Sequence, residues 1–181
     1  MAEIVMDDEG ISRFMADLGV NAETDIIAIQ ISQYMDAKYM GEYQKAEFLK
    51  GCSALGCDSI QSWKAVIPRL RQEINNDGRF TAMYKYAFTF AQEKGKRNVE
   101  VDLACALWDL IIGPQKCQFL DQWKAFVTKK NTDGQLNVIT QDTWNLFHDL
   151  VKQTGGILSR FEDDGCWPAL VDEFIEQNPP Q

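Results

Sequence analysis

Asp36, Gly41 and Glu47 occupy positions 1, 6 and 12 of a twelve-residue window, the spacing of a helix-loop-helix calcium site. Such a loop needs oxygen ligands at positions 1, 3 and 5, a glycine at 6 for the turn, and a bidentate Glu at 12. Positions 3 and 5 are Lys38 and Met40, a cation and a thioether where hard oxygen is required. Two lost ligands and an added positive charge predict no useful calcium affinity. The frame around Gly10 is poorer, with Val5 at position 1 and Ala16 at 12. Frames around Gly78, Gly134 and Gly165 begin at Glu73, Lys129 and Arg160 and lack the closing Glu. The expectation is a pair of degenerate, metal-free, EF-hand-like motifs in the N-terminal lobe.

Zinc and thiol chemistry are no better supplied. Cys52 and Cys57 are the closest cysteine pair, and on one helix five residues turn them about 140° apart. A structural zinc takes four ligands, and the only histidine is the distant His148. A thiol nucleophile needs an activating base. Yet His148 falls in a helical stretch from Trp144 to Val151, and no strand-turn-helix elbow precedes any cysteine. The sequence predicts no catalytic residues, no metal ligands and no cofactor.

Asp142, Cys166 and Asp172 stand out for charge and context near the C-terminus. Asp142 lies two residues after a candidate N-cap, where the helix dipole favours a carboxylate. Asp172 sits among Leu170, Val171 and Phe174 and reads most simply as a solvated face. Cys166 precedes Trp167-Pro168, with Trp167 expected as a buried anchor. Residue types alone do not join the three into one site.

Composition bounds the rest. The 181 residues suit one domain or two closely packed lobes, and 45% hydrophobic with 11% aromatic content argues against disorder. No apolar run approaches the roughly 18 residues that cross a bilayer. The acidic start, residues 1–8, lacks the regions of a secretory signal, and Ala2 is not the glycine of N-myristoylation. Five cysteines without framework spacing fit free thiols in cytoplasm or nucleus. A net charge of −9 argues against nucleic acid and favours a basic partner surface.

The elements that would carry these residues are helical. Ile11, Phe14, Met15 and Leu18 follow the i, i+3, i+4, i+7 pattern, with Gly19 as a stop. A second helix is expected over 24–38, bearing Ile27, Ile31, Tyr34 and Met35, and a third from Gln44 to near Gly56. Ser59 caps a fourth through Leu70, kinked at Pro68. Phe80, Tyr84, Ala87, Phe88 and Ala91 follow the Asn75-Asn76-Asp77-Gly78 turn. Val101 to Ile111, Phe119 to Phe126, Thr140 to Val151 and Trp167 to Glu176 complete the set. No alternation marks a sheet, so the fold class is all-α. The division expected is one domain over 1–177, lobes 1–95 and 96–177, with a tail at 178–181.

From Gly10-Ile11-Ser12-Arg13-Phe14 to Asp172-Glu173-Phe174 the chain resembles the defective-in-cullin-neddylation family and its potentiating-neddylation domain. The resemblance is carried by Leu55-Gly56-Cys57-Asp58-Ser59-Ile60, the Tyr84 to Ala91 aromatic run, Asp142-Thr143-Trp144-Asn145 and Gly165-Cys166-Trp167-Pro168. It implies a scaffold-type co-ligase, not itself catalytic, that bridges the neddylation conjugating enzyme and a cullin within a cullin-RING ligase complex. It places the cullin C-terminal domain on Asp142, Cys166 and Asp172, with Cys166 in place of the usual Ala. It places the acetylated N-terminus of the conjugating enzyme in an apolar pocket of Ile11, Ile31, Met35, Tyr43, Phe90, Leu107 and Leu110. There Leu107 replaces a frequent Tyr, Met35 and Tyr43 replace Phe, and Gln30 makes the 26–32 stretch unusually polar. The alternative is a divergent cullin-binding adaptor that has lost conjugating-enzyme binding.

Overall fold

The computed structural model describes residues 4–179. Residues 1–3 of the acidic start, with Ala2, and residues 180 and 181 of the expected tail lie outside the described residues. Among the described residues the chain is all-α, apart from one two-stranded antiparallel sheet. It divides into two compact units, Met1–Lys96 and Arg97–Gln181.

In the first unit, α1 spans Asp8–Leu18. Asp7 caps it by accepting the N–H of Gly10 at 3.0 Å, and Gly19 ends it in the left-handed region at φ 76°. The second helix, α2, covers Ile27–Met35, shorter at both ends than its apolar spacing predicts. At its start the Asn21 side chain accepts the N–H groups of Glu23 and Thr24, and Asp25 accepts that of Ile27 at 3.1 Å. These local bonds replace helical ones. At its end Asp36 turns left-handed, φ 54°.

Strands β1 (Val5–Met6) and β2 (Tyr43–Gln44) pair with Met6 opposite Tyr43. Val5 therefore lies in a strand and Ala16 inside α1, so the Gly10 window is not a ligand loop. Helix α3 (Lys45–Leu55) follows, then α4 (Ile60–Glu73), capped by Ser59 and unbroken through Pro68, and α5 (Asp77–Phe90), capped by Asn76. Cys57 lies beyond the α3 C-cap Gly56, not on the helix with Cys52. It donates its N–H to the Cys52 carbonyl at 2.8 Å.

Burial of the apolar stripes of α1, α2 and α4 makes one core. Phe14 sets its edge to Phe48 and Trp63 at 5.3 and 5.4 Å between centroids. Gly51 brings α3 close to α2: a Cβ there would meet Met35 Cγ at 2.5 Å.

The second unit contains α6 (Val101–Ile111), the short α7 (Gly113–Lys116), α8 (Leu120–Thr132), α9 (Gln141–Thr154), a 3-10 turn at Leu158–Arg160, and α10 (Ala169–Gln177). Val99 and Ile139 exchange backbone hydrogen bonds at 3.0 and 2.8 Å, tying the entry of α6 to the entry of α9. The core is aromatic: Trp108 stacks on Trp144 at 5.3 Å, and Trp123 on Phe147 at 4.8 Å. Each such pair contributes about 0.5–1.5 kcal/mol beyond area burial. Gly156 (φ 76°) is sterically required, since a Cβ would stand 2.0 Å from the Lys116 carbonyl oxygen.

Candidate partner-binding surface

Asp142 and Asp172 owe their exposure to the residues two places after them. On a helix two residues rotate by about 200°, so a residue two before a core residue faces outward. Trp144 is fully buried on α9 and Phe174 fully buried on α10. Phe174 packs its ring against Trp123 at 5.2 Å and Phe126 at 5.5 Å. Trp123 in turn stacks on Phe147 of α9, so one aromatic core fixes the inner faces of both helices. The two aspartates stand exposed on the outer faces. Neither carboxylate has a hydrogen bond or ion pair among the described residues.

Asp142 also has the dipole setting expected of it. Thr140 caps α9 by accepting the Thr143 N–H at 3.2 Å, which puts Asp142 in the first turn. A free carboxylate there stabilises the helix and remains open to a cation.

Between the helices, residues 161–168 form an ordered acidic loop. Asp163 accepts the N–H of Gly165 at 2.8 Å, and Asp164 that of Cys166 at 3.0 Å. The Glu162 carbonyl accepts Gln153 Nε2 at 2.6 Å and Trp167 Nε1 at 3.4 Å. Trp167 packs on Phe161 at 5.8 Å and is half-buried, less than the buried anchor expected. Its indole edge is held by the loop carbonyl, which keeps part of the ring in solvent. Cys166 is exposed, and α10 starts at Ala169, two residues later than expected, because Pro168 is extended at its N-cap.

One contact on this surface has no sequence signal. Lys130 of α8 forms an ion pair with Glu173, the neighbour of Asp172. The two are 43 positions apart.

The residues assigned to the apolar pocket lie in two groups. Ile11, Ile31, Met35, Tyr43 and Phe90 share the core cluster of the first unit, with Ile31 and Met35 fully buried. Leu107, buried, and Leu110, half-buried, lie on α6 of the second unit. Tyr43 is not a plain substitute for an apolar ring. Its hydroxyl meets Ser32 Oγ at 2.6 Å, and Ser32 donates to the Ala28 carbonyl at 2.8 Å. Burial pushes the Tyr43 phenol up to about 12. The polar Gln30 is also buried and donates to Glu73 at 3.2 Å.

Burial likewise raises the thiols of Cys57, Cys105 and Cys117, the last to about 12, which opposes thiolate formation at neutral pH. His148 is buried on α9, with Nδ1 3.8 Å from the Asp149 carboxylate. Among the described residues no three His, Cys, Asp or Glu side chains are grouped to hold a metal ion. No helix among the described residues is long and apolar enough to cross a membrane.

Comparison with known proteins covers most of the chain. Residues 62–177 fit the family model described as cullin binding. The chain belongs to the cullin-binding family. It is 34% identical to DCN1-like protein 3 of Xenopus tropicalis over 171 residues, which cover 93% of this chain and 55% of that protein. The human DCN1-like protein 3 gives the same figures. DCN1-like protein 4 of Homo sapiens is 32% identical over 178 residues, 95% of this chain and 57% of its own length. This family member therefore spans about half the length of the curated relatives it matches. Asp142, Cys166 and Asp172 lie within the stretch that fits the family model, as do Phe90, Leu107 and Leu110, whereas Ile11, Ile31, Met35 and Tyr43 precede that stretch.

Proposed function

We propose that this member of the cullin-binding family is a non-covalent co-ligase for cullin neddylation, working in cytoplasm or nucleus. Its second unit holds the cullin C-terminal domain through Asp142, Cys166 and Asp172. The apolar residues Ile11, Ile31, Met35, Tyr43 and Phe90 of its first unit receive the acetylated N-terminus of the neddylation conjugating enzyme. Holding both partners raises the effective concentration of the charged conjugating enzyme at the cullin's acceptor lysine and restricts its orientation. This chain makes no covalent bond in that scheme. It acts by placement within the cullin-RING ligase complex.

The observation that supports the cullin half most directly is the pair of exposed, unpartnered carboxylates on α9 and α10, fixed from behind by one aromatic core. Rigid open carboxylates suit a basic protein surface, because no internal ion pair must break when the partner binds. The test is the rate of modifier transfer to a purified cullin, with and without this chain. Acceleration by the parent and none by Asp142→Ala/Asp172→Ala is the expected result. A parent protein that leaves the rate unchanged sinks the proposal.

The adaptor reading rests on a different observation. Ile31 and Met35 are fully buried, so they are core residues first and contact residues only if the pocket opens to them. A chain that captures cullin but not an acetylated conjugating-enzyme peptide is this adaptor.

A further inference from the structure

Helix α10 carries two adjacent carboxylates with different fates. Glu173 is engaged by Lys130, whose side chain is only 13% exposed. The Lys130 ammonium also reaches Gln135 Oε1 at 3.1 Å and lies 5.3 Å from the centre of the Phe126 ring. Asp172 is exposed and has no partner among the described residues. A basic group arriving from a partner can pair with Asp172 at once. At Glu173, whose side chain is 47% exposed, it must share the carboxylate with the largely buried Lys130 ammonium, and the two cations repel each other.

Building on the proposed cullin-binding function, we infer that Lys130 determines which of the two adjacent carboxylates the cullin reads: it engages Glu173 and leaves Asp172 as the open one of the pair. Lys130 is thus a specificity-determining residue that does not itself face the partner. Without Lys130, two open carboxylates stand about 100° apart on one helix turn, and the longer Glu173 side chain is free to swing toward the cation.

A binding cycle tests this on the whole chain, with the purified cullin C-terminal domain as the probe. The variants are Asp172→Ala, Lys130→Met and their combination, plus the combination carrying Glu173→Gln. Met keeps an apolar stem over Phe126 while removing the charge, and circular dichroism checks the fold of each protein. In the parent, Asp172→Ala is expected to weaken binding by about tenfold or more. In the Lys130→Met background the same change is expected to cost less than about threefold, because the freed Glu173 substitutes. Adding Glu173→Gln restores the full loss. A purely structural Lys130 would lower the melting temperature and leave the cost of Asp172→Ala unchanged. An equal loss in both backgrounds therefore overturns the inference and spares the proposed function. An Asp172→Ala protein that binds cullin like the parent overturns the proposed placement of the cullin on Asp172, on which this inference rests. Should Lys130→Met not fold, Lys130→Gln enters the cycle in its place with the same expectations.

Discussion

Glu47 accepts the backbone N–H of Lys38 at 3.1 Å through one carboxylate oxygen. The other oxygen accepts the N–H of Gln44 at 2.8 Å. In a calcium loop the closing Glu would give both oxygens to the ion. Here they close the loop by direct hydrogen bonds, while the Asp36 carboxylate pairs with Lys50 at 2.6 Å. Millimolar calcium is expected to give no saturable heat in a titration and no rise in melting temperature. Glu47→Ala, which frees two backbone donors, should cost about 1–3 kcal/mol in urea unfolding, and calcium should not restore the loss. A single-site calcium isotherm for the parent would count against this account.

The Ser32–Tyr43 pair gives an asymmetric prediction. Ser32 spends its proton on the Ala28 carbonyl, so the Tyr43 hydroxyl is the donor across their 2.6 Å contact. Tyr43→Phe removes that donor and leaves Ser32 still bonded to Ala28, at a cost of about 1 kcal/mol. Ser32→Ala strands a buried phenol, at about 1–3 kcal/mol. The double variant is expected to be more stable than the sum of the two losses implies, because no hydroxyl is left unpaired. Chemical denaturation of the three proteins measures the coupling, and strict additivity would show that the hydroxyls do not depend on each other.

Helix positions were readable where periodicity and a stop coincide. Ile11, Phe14, Met15, Leu18 and Gly19 define the buried face and the C-terminal end of α1, because burial demands the stripe and only glycine turns left-handed cheaply. Helix α2 was over-extended because Asn21 and Asp25 divert backbone donors to their side chains, an option that apolar spacing does not register. The two-residue strands were invisible, since two residues cannot display alternation and their pairing is 37 positions apart at Met6 and Tyr43. On the candidate surface, Asp142 and Asp172 could be named from their neighbours Trp144 and Phe174. The withdrawal of Glu173 by Lys130 could not, because it depends on how α8 meets α10.

Cysteine reactivity should separate by burial. Cys166 is exposed, whereas Cys117 is fully buried and its thiol is pushed up to about 12 by desolvation. In native protein a maleimide is expected to label Cys166 quickly and Cys117 only on unfolding. A pH effect follows from the same shift. The folded state holds the Cys117 proton more tightly than the unfolded chain, whose thiol ionises near about 8.5. Its contribution to stability is therefore complete below that pH and declines as the pH rises toward 12. Cys117→Ala loses packing at neutral pH, but the gap in stability between parent and variant should narrow as pH rises from 8 to 10.5. A gap that stays constant would show that ionisation of Cys117 is not linked to folding.

Asp142 and Asp172 admit two accounts that differ in salt dependence. If Asp142 only serves the α9 dipole, Asp142→Ala costs about 0.3–1 kcal/mol of stability and leaves cullin affinity alone. If it meets a basic partner surface, the stability loss is similar but binding weakens by roughly tenfold or more, because the partner's cation is left without its counter-charge. Asp172→Lys should be more severe than Asp172→Ala, replacing attraction with repulsion. For the double variant Asp142→Ala/Asp172→Ala, stimulated cullin modification is expected to vanish while binding of an acetylated conjugating-enzyme peptide survives. The parent's cullin affinity should fall between low and physiological salt, and that fall should shrink in the double variant, since fewer ion pairs remain to be screened. Measuring both partners at both salt concentrations separates a lost surface from a lost fold. A folded double variant that binds cullin with parental affinity and parental salt dependence would leave these aspartates as helix-stabilising residues and move the search for the cullin contact elsewhere on the second unit.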